Sequence, residues 1–150
     1  MIQPILIYPD PKLSQTADPV GAVGADIQIL AADLLETMYD AEGRGLAAPQ
    51  IGDGRRVFVM DAGWKDGDRR PVVMVNPEVV EASAETSVAK ERCLSIPDDP
   101  REVERPERVK LSWTDLSGVR QEEWLEGAAS RIAQHELDHL DGVLILDRAA

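Results

Sequence analysis

The chain's two histidines stand four residues apart in Gln134-His135-Glu136-Leu137-Asp138-His139-Leu140, with a glutamate directly after the first. On an α-helix, positions i and i+4 share a face, so both imidazoles can reach one metal ion. Glu136 then projects beside them, where it can handle the protons of a water held at that ion. The pattern points to a metal-dependent hydrolase. The competing reading is a chance pair of histidines on a polar face, which is disfavoured because no histidine lies elsewhere in the chain.

A catalytic metal ordinarily takes three protein ligands and keeps one position open. One protease pattern would continue through Gly142 to a third histidine, but that position is Ile145. After His139 the remaining carboxylates are Asp141 and Asp147, and Asp141 is too close for a natural tripod. The third ligand is therefore sought upstream. Cys93, the only cysteine, leads the candidates, in the loop-like segment Glu91-Arg92-Cys93-Leu94-Ser95-Ile96-Pro97. A lone cysteine is more often a buried structural residue. The want of another third ligand favours the metal role.

These residues need elements to hold them. A helix is expected from about Gly127 to Leu140, ending near Gly142. A second is expected over Asp26–Met38, where Ile27, Leu30, Ala31, Leu34, Leu35 and Met38 recur at helical spacing. Arg56–Met60 and Val72–Val75 read as strands. Pro77 is expected to bound the latter, with Glu78–Glu81 continuing an edge strand. Val109–Trp113 and Val119–Trp124, joined by Thr114–Gly118, read as a β-hairpin. Residues 1–24, rich in Pro, Gly and Asp, read as extended chain and turns. The expected architecture is one α+β domain spanning 1–150, with mostly antiparallel sheets around the metal-binding helix.

Composition narrows the function. The formal charge is −12 and the sequence is 43% hydrophobic but only 4% aromatic, so the core is expected to be aliphatic. An acidic chain is unsuited to nucleic acid or to an anionic membrane surface. The N-terminus shows no signal-peptide pattern, and no stretch approaches the roughly 20 apolar residues of a membrane span. A single cysteine precludes an intrachain disulfide, and a cytoplasmic location is expected.

Three segments together resemble the peptide deformylase family: Gly43-Arg44-Gly45-Leu46-Ala47-Ala48-Pro49-Gln50, Glu91-Arg92-Cys93-Leu94-Ser95, and the histidine segment. The likeness extends through Ile7-Tyr8-Pro9-Asp10, Glu36-Thr37-Met38-Tyr39, Asn76-Pro77 and the hairpin, and so spans nearly the whole chain. The resemblance implies removal of the formyl group from N-formylmethionyl peptides of nascent chains. It implies one divalent metal, most often Fe²⁺, with Zn²⁺ or Ni²⁺ as alternatives, held by Cys93, His135 and His139. Glu136 would be general base and then acid, while Gln50 and the backbone N–H of Leu94 would hold the formyl oxygen as it becomes an oxyanion.

Four positions depart from the family pattern: Arg92 for the usual glycine, Arg44 and Arg131 where apolar residues are common, and Pro100, followed by Arg101, where arginine is frequent. With Gly45, the arginines at 44, 92 and 131 are candidate substrate-binding residues. They raise the alternative of a related amidase acting on an anionic N-formyl or N-acyl compound. A non-catalytic metal- or peptide-binding member is the other alternative, which would require Arg92 to block the groove. Only Gly142–Ala150 follow the metal helix, where many bacterial relatives extend into a ribosome-docking helix; ribosome docking is expected to lack that element.

Overall fold

The computed structural model describes residues 1–149. Two helices sandwich a five-stranded antiparallel sheet, and a separate β-hairpin closes over one of them. In chain order the elements are α1 (Ala25–Asp40), β1 (Gly45–Ala47), β2 (Val57–Met60), β3 (Val72–Ala82), β4 (Thr86–Cys93), β5 (Ile96–Pro106), β6 (Arg108–Thr114), β7 (Arg120–Glu126), α2 (Gly127–Leu140) and the short α3 (Ile145–Arg148). The large sheet has the order β1-β2-β3-β6-β7, and β4 pairs with β5.

The sandwich follows from the run Val57-Phe58-Val59-Met60, which is buried at every position. Side chains alternate across a strand, so a strand covered on both faces is apolar throughout. Val57 and Val59 pack with Ile27, Leu30, Leu34 and Met38 of α1. Phe58 and Met60 face the other way and pack with Ala133 and Leu140 of α2, together with Leu111 and Trp113. Each such side chain contributes roughly 1.5–3 kcal/mol by leaving water. The core is mainly aliphatic, with Phe58 and Trp113 the aromatic exceptions.

Both long helices and the β6–β7 hairpin lie where the sequence placed them. Two regions differ. Pro77 does not end the second strand: β3 runs through it to Ala82, with a register shift between Val75 and Glu78. Asn76 sits at that irregularity with φ +50, and its side-chain amide donates to Val20 O and accepts from Val20 N at 2.7 Å each. A bulge accommodates a proline that a regular ladder would reject. β3 is also not an edge strand, since it lies between β2 and β6. The second correction is Glu91–Pro97, which is not a loop but the tip of the β4–β5 hairpin, with only Leu94 and Ser95 in the turn.

Candidate active site and metal centre

Cys93 ends β4, and the histidines lie on the buried face of α2. Donor atoms of Cys93, His135 and His139 all lie within 4.8 Å of one another. Cys93 Sγ is 3.3 Å from His139 Nε2, and the two imidazole centroids are 5.0 Å apart. All three residues are 8% exposed or less. Residues 93, 135 and 139 are thus brought together by the hairpin tip meeting the helix, as the sequence anticipated.

Glu91 fixes how His135 presents itself. It lies two residues before Cys93 on the same face of β4, and its Oε1 is 3.0 Å from His135 Nδ1. Arg105 of β5 grips the same carboxylate at 2.6 and 2.9 Å. Burial alone would raise the carboxyl's pKa, but the hydrogen bonds from His135 and Arg105 outweigh it and hold it down to about 2. An ionised carboxylate can only accept, so Nδ1 carries the proton and Nε2 is the free donor atom.

The donor set fits a divalent cation. Burial acts to lower the pKa of His135, but Glu136, Cys93 and Glu91 together raise it to about 10. The surroundings therefore favour a positive charge at this imidazole, which a metal ion can supply in place of the proton. His139 is held well below its ordinary value, first by burial and then by His135 and Arg105, so its ring is neutral and available. Thiolate and imidazole suit both iron and zinc.

Glu136 is 4% exposed, and its Oε1 has no protein hydrogen-bond partner. Burial is the main cause that lifts its pKa to about 7, with His135 and Arg105 pulling the other way. A carboxyl poised there can both accept and return a proton near neutral pH. Gly45 of β1 passes directly over it: a Cβ at position 45 would stand 2.6 Å from Glu136 Oε2. Here the absence of a side chain is what allows the backbone to approach.

Gln50 lies on the 3₁₀ turn Ala48–Ile51 and is 1% exposed. Its Oε1 accepts from Ala47 N at 3.0 Å, which fixes the amide so that Nε2 points at the centre. Nε2 donates to Ser95 Oγ at 3.0 Å and lies 3.8 Å from Cys93 Sγ. The N-terminal segment braces this corner, with Leu6 N donating to Gln50 O and Tyr8 N to Ser95 O. The backbone N–H of Leu94, in the hairpin turn, has no protein acceptor among the described residues.

A cavity of about 640 Å³ opens onto this cluster, bordered by Gly43, Arg44 and Gly45 on one side and by Lys90–Leu94 on the other, with Ala128, Arg131, Ile132, His135 and Glu136 of α2 also lining it. β1 is an edge of the large sheet and β4 belongs to the other sheet, so the cavity lies between strands of two sheets. Arg131 lies one turn before His135, but both its terminal amino groups are committed to protein acceptors. It bonds Glu91 Oε2 at 2.7 Å, Val103 O and Ser87 O at 2.9 Å each, and Ser87 Oγ at 3.1 Å. It braces α2 against the hairpin, a different use from the anion recognition its position suggested. Arg101 pairs with Asp99 at 2.9 Å, and neither it nor Pro100 borders the cavity.

Sequence reasoning gave no role to Glu91, Ser95, Asp138 or Arg105. The first three lie inside the quoted motifs, where their types were visible but their partners were not. Arg105 bridges Glu91 to Asp138, with Nη1 2.9 Å from Asp138 Oδ2, and is 3% exposed. Nothing in its local sequence, Glu104-Arg105-Pro106, marks it as buried.

An α+β fold whose helix pairs two histidines with a strand-borne cysteine, beside a buried glutamate, defines a class of metal-dependent hydrolase. The polypeptide deformylase family pattern matches residues 2–150. A peptide deformylase of Rhizobium meliloti is 49% identical over 146 residues, covering 97% of this chain and 84% of the relative. The crystal structure of peptide deformylase from Thermotoga maritima superposes with a TM-score of 0.94 at 44% identity, covering 100% of this chain and 99% of the other. A Met-Ala-Ser-bound class I type b peptide deformylase from Acinetobacter baumannii gives 0.92 at 36% identity, with coverage of 99% and 98%. The chain belongs to the polypeptide deformylase family.

Proposed function

We propose that this protein removes the N-formyl group from N-formylmethionyl peptides at the Cys93/His135/His139 centre. The observation that carries the reading is the convergence of that donor set with Glu136 and Gln50 beside an open cavity that Cys93, His135, Glu136 and Gln50 line. Cys93 Sγ and Nε2 of His135 and His139 would hold the divalent ion, which when bound supplies a Lewis acid and lowers the pKa of water beside it.

The chain's own groups do the rest. Glu136 accepts a proton from the attacking water and returns it to the departing amine, a role its pKa near 7 suits. The Gln50 amide and the Leu94 N–H donate to the formyl oxygen as charge builds on it. Glu91 keeps His135 in one tautomer, and Arg105 keeps Glu91 ionised. The narrow approach at Gly45 suits a small acyl group, and the cavity between β1 and β4 suits an extended peptide, which could pair with a strand edge.

The test is formate release from formyl-Met-Ala-Ser by protein purified anaerobically and loaded with Fe²⁺, Ni²⁺ or Zn²⁺. Turnover with about one ion per chain, both lost in Cys93→Ala, is expected. Turnover that persists in a metal-free Cys93→Ala protein would overturn the reading.

A further inference from the structure

The cavity mouth carries a charge opposite to that of the whole molecule. The chain bears −12 overall, yet Arg44, Lys65, Lys90 and Arg92 all border this opening. For Lys90 and Arg92 the placement follows from strand alternation, while Arg44 stands just before β1 and Lys65 lies in the connection from β2 to β3. On β4, Glu91 and Cys93 point inward and are buried, so Lys90 and Arg92 point outward and are exposed. On the opposite wall Gly45 faces Glu136, and Arg44, one residue earlier, turns away from it with 43% of its side chain exposed. Each wall thus puts a small or reactive residue at the centre and an arginine one step out.

These cations are weakly engaged. Arg92 and Lys90 have no carboxylate within ion-pair distance among the described residues, although Glu102 is the cross-strand neighbour of Lys90. Arg44 has only Asp66, at 3.9 Å, and that carboxylate is 85% exposed. Lys65 lies 5.7 Å from the Trp64 ring centroid. The acid opposing them at the rim is Glu42. The contrast is with Arg131, whose two terminal amino groups are engaged by Glu91, Ser87 and Val103, whereas the cations at the mouth have weak partners.

We infer that the Arg44/Arg92 rim, with Lys65 and Lys90, selects formylated peptides carrying an acidic side chain in the residues that follow the formylated one. This rests on the deformylase reading above and names its substrate class. The rim sits outside the reacting centre, so the effect belongs in KM and in salt dependence rather than in kcat. Exposed ion pairs are individually weak, and two or three acting together correspond to about a three- to tenfold preference.

The experiment compares kcat/KM on formyl-Met-Ala-Ser with peptides in which the second or third residue is Glu or Lys. Glu is expected to exceed Ala, and Ala to exceed Lys, with the spread collapsing at about 1 M salt, where the Debye length is roughly 3 Å. Arg92→Glu and, independently, Lys90→Glu should reduce or invert the Glu-to-Lys ratio; a ratio within one variant needs no assumption about its absolute activity. Equal rates on Glu and Lys peptides, or a Glu preference untouched by both charge reversals, overturn the inference while leaving the deformylase reading standing. Absence of formate release from every peptide overturns that reading and the inference with it.

Discussion

Glu136 combines near-complete burial with an oxygen that lacks a protein partner. A structural carboxylate would be paired, as Glu91 and Asp138 are. Glu136→Gln keeps the shape and removes the proton acceptor. Formate release should fall by about 10²–10⁴, while metal content, measured by elemental analysis, stays near that of the parent. Loss of the metal in this variant would mean that Glu136 is a ligand instead. Gln50 makes a narrower contribution. Gln50→Ala should lower kcat by about 10²–10³, with KM much less affected, because the donor matters most when charge develops on the oxygen. The position of Glu136 beside the histidines was legible from their helical spacing, whereas Gln50 was singled out by the family resemblance. The tautomer of His135 was not legible, because it depends on Glu91, a residue 44 positions away.

At the scale of elements, the centre is a clamp between the tip of the β4–β5 hairpin and the face of α2. The Glu91–Arg105–Asp138 ion pairs and the Arg131 contacts fasten the two together. Glu91→Gln should destabilise the fold by roughly 1–3 kcal/mol in denaturant titration, since Arg105 then keeps Asp138 alone as its buried counter-charge. Its metal affinity should fall about 10–100-fold, the usual effect of losing the group that orients a histidine ligand. Gly45→Ala tests the other wall. Its Cβ would collide with Glu136 Oε2, so turnover should drop sharply while the melting temperature changes far less. The hairpin escaped sequence reasoning for a physical reason. The inward positions at its tip include a glutamate, and the outward ones are Lys90 and Arg92, so the apolar alternation that marks a strand is missing. α2 was legible because its small and apolar residues recur at helical spacing whatever the helix packs against.

Across the whole molecule, the shifted groups predict the pH range of stability. Glu91 has its pKa depressed from 4.5 to about 2, so its contribution is present above 4.5 and is lost as pH falls toward 2. Tyr39 has its pKa raised from 10.0 to about 12, first by burial and then by its bond to Asp61, 2.6 Å away. Its contribution is present below 10 and is lost as pH rises toward 12. Melting temperature against pH should therefore fall off on both flanks, with Tyr39→Phe flattening the alkaline limb. A limb unchanged by that substitution would refute the assignment. Chelation should lower the melting temperature at any pH between those flanks, because an ion held by Cys93, His135 and His139 would tie hairpin to helix and bind only the folded chain. Among the described residues no helix is long and apolar enough to cross a membrane.

The donor types, their helical spacing, the two long helices and the aliphatic core were all legible before any folding was considered, because each depends on local period and side-chain chemistry. The sequence also located the arginines. What those arginines do emerges from the packed fold, since a guanidinium's role depends on which acceptors surround it. Arg131 is consumed by Glu91, Ser87 and Val103, and Arg105, unmarked in sequence, lies at the centre of the buried ion pairs. Arg44 and Arg92 remain at the mouth: alternation along β4 turns Arg92 outward from Glu91 and Cys93, and Arg44, just before β1, stands exposed beside Gly45.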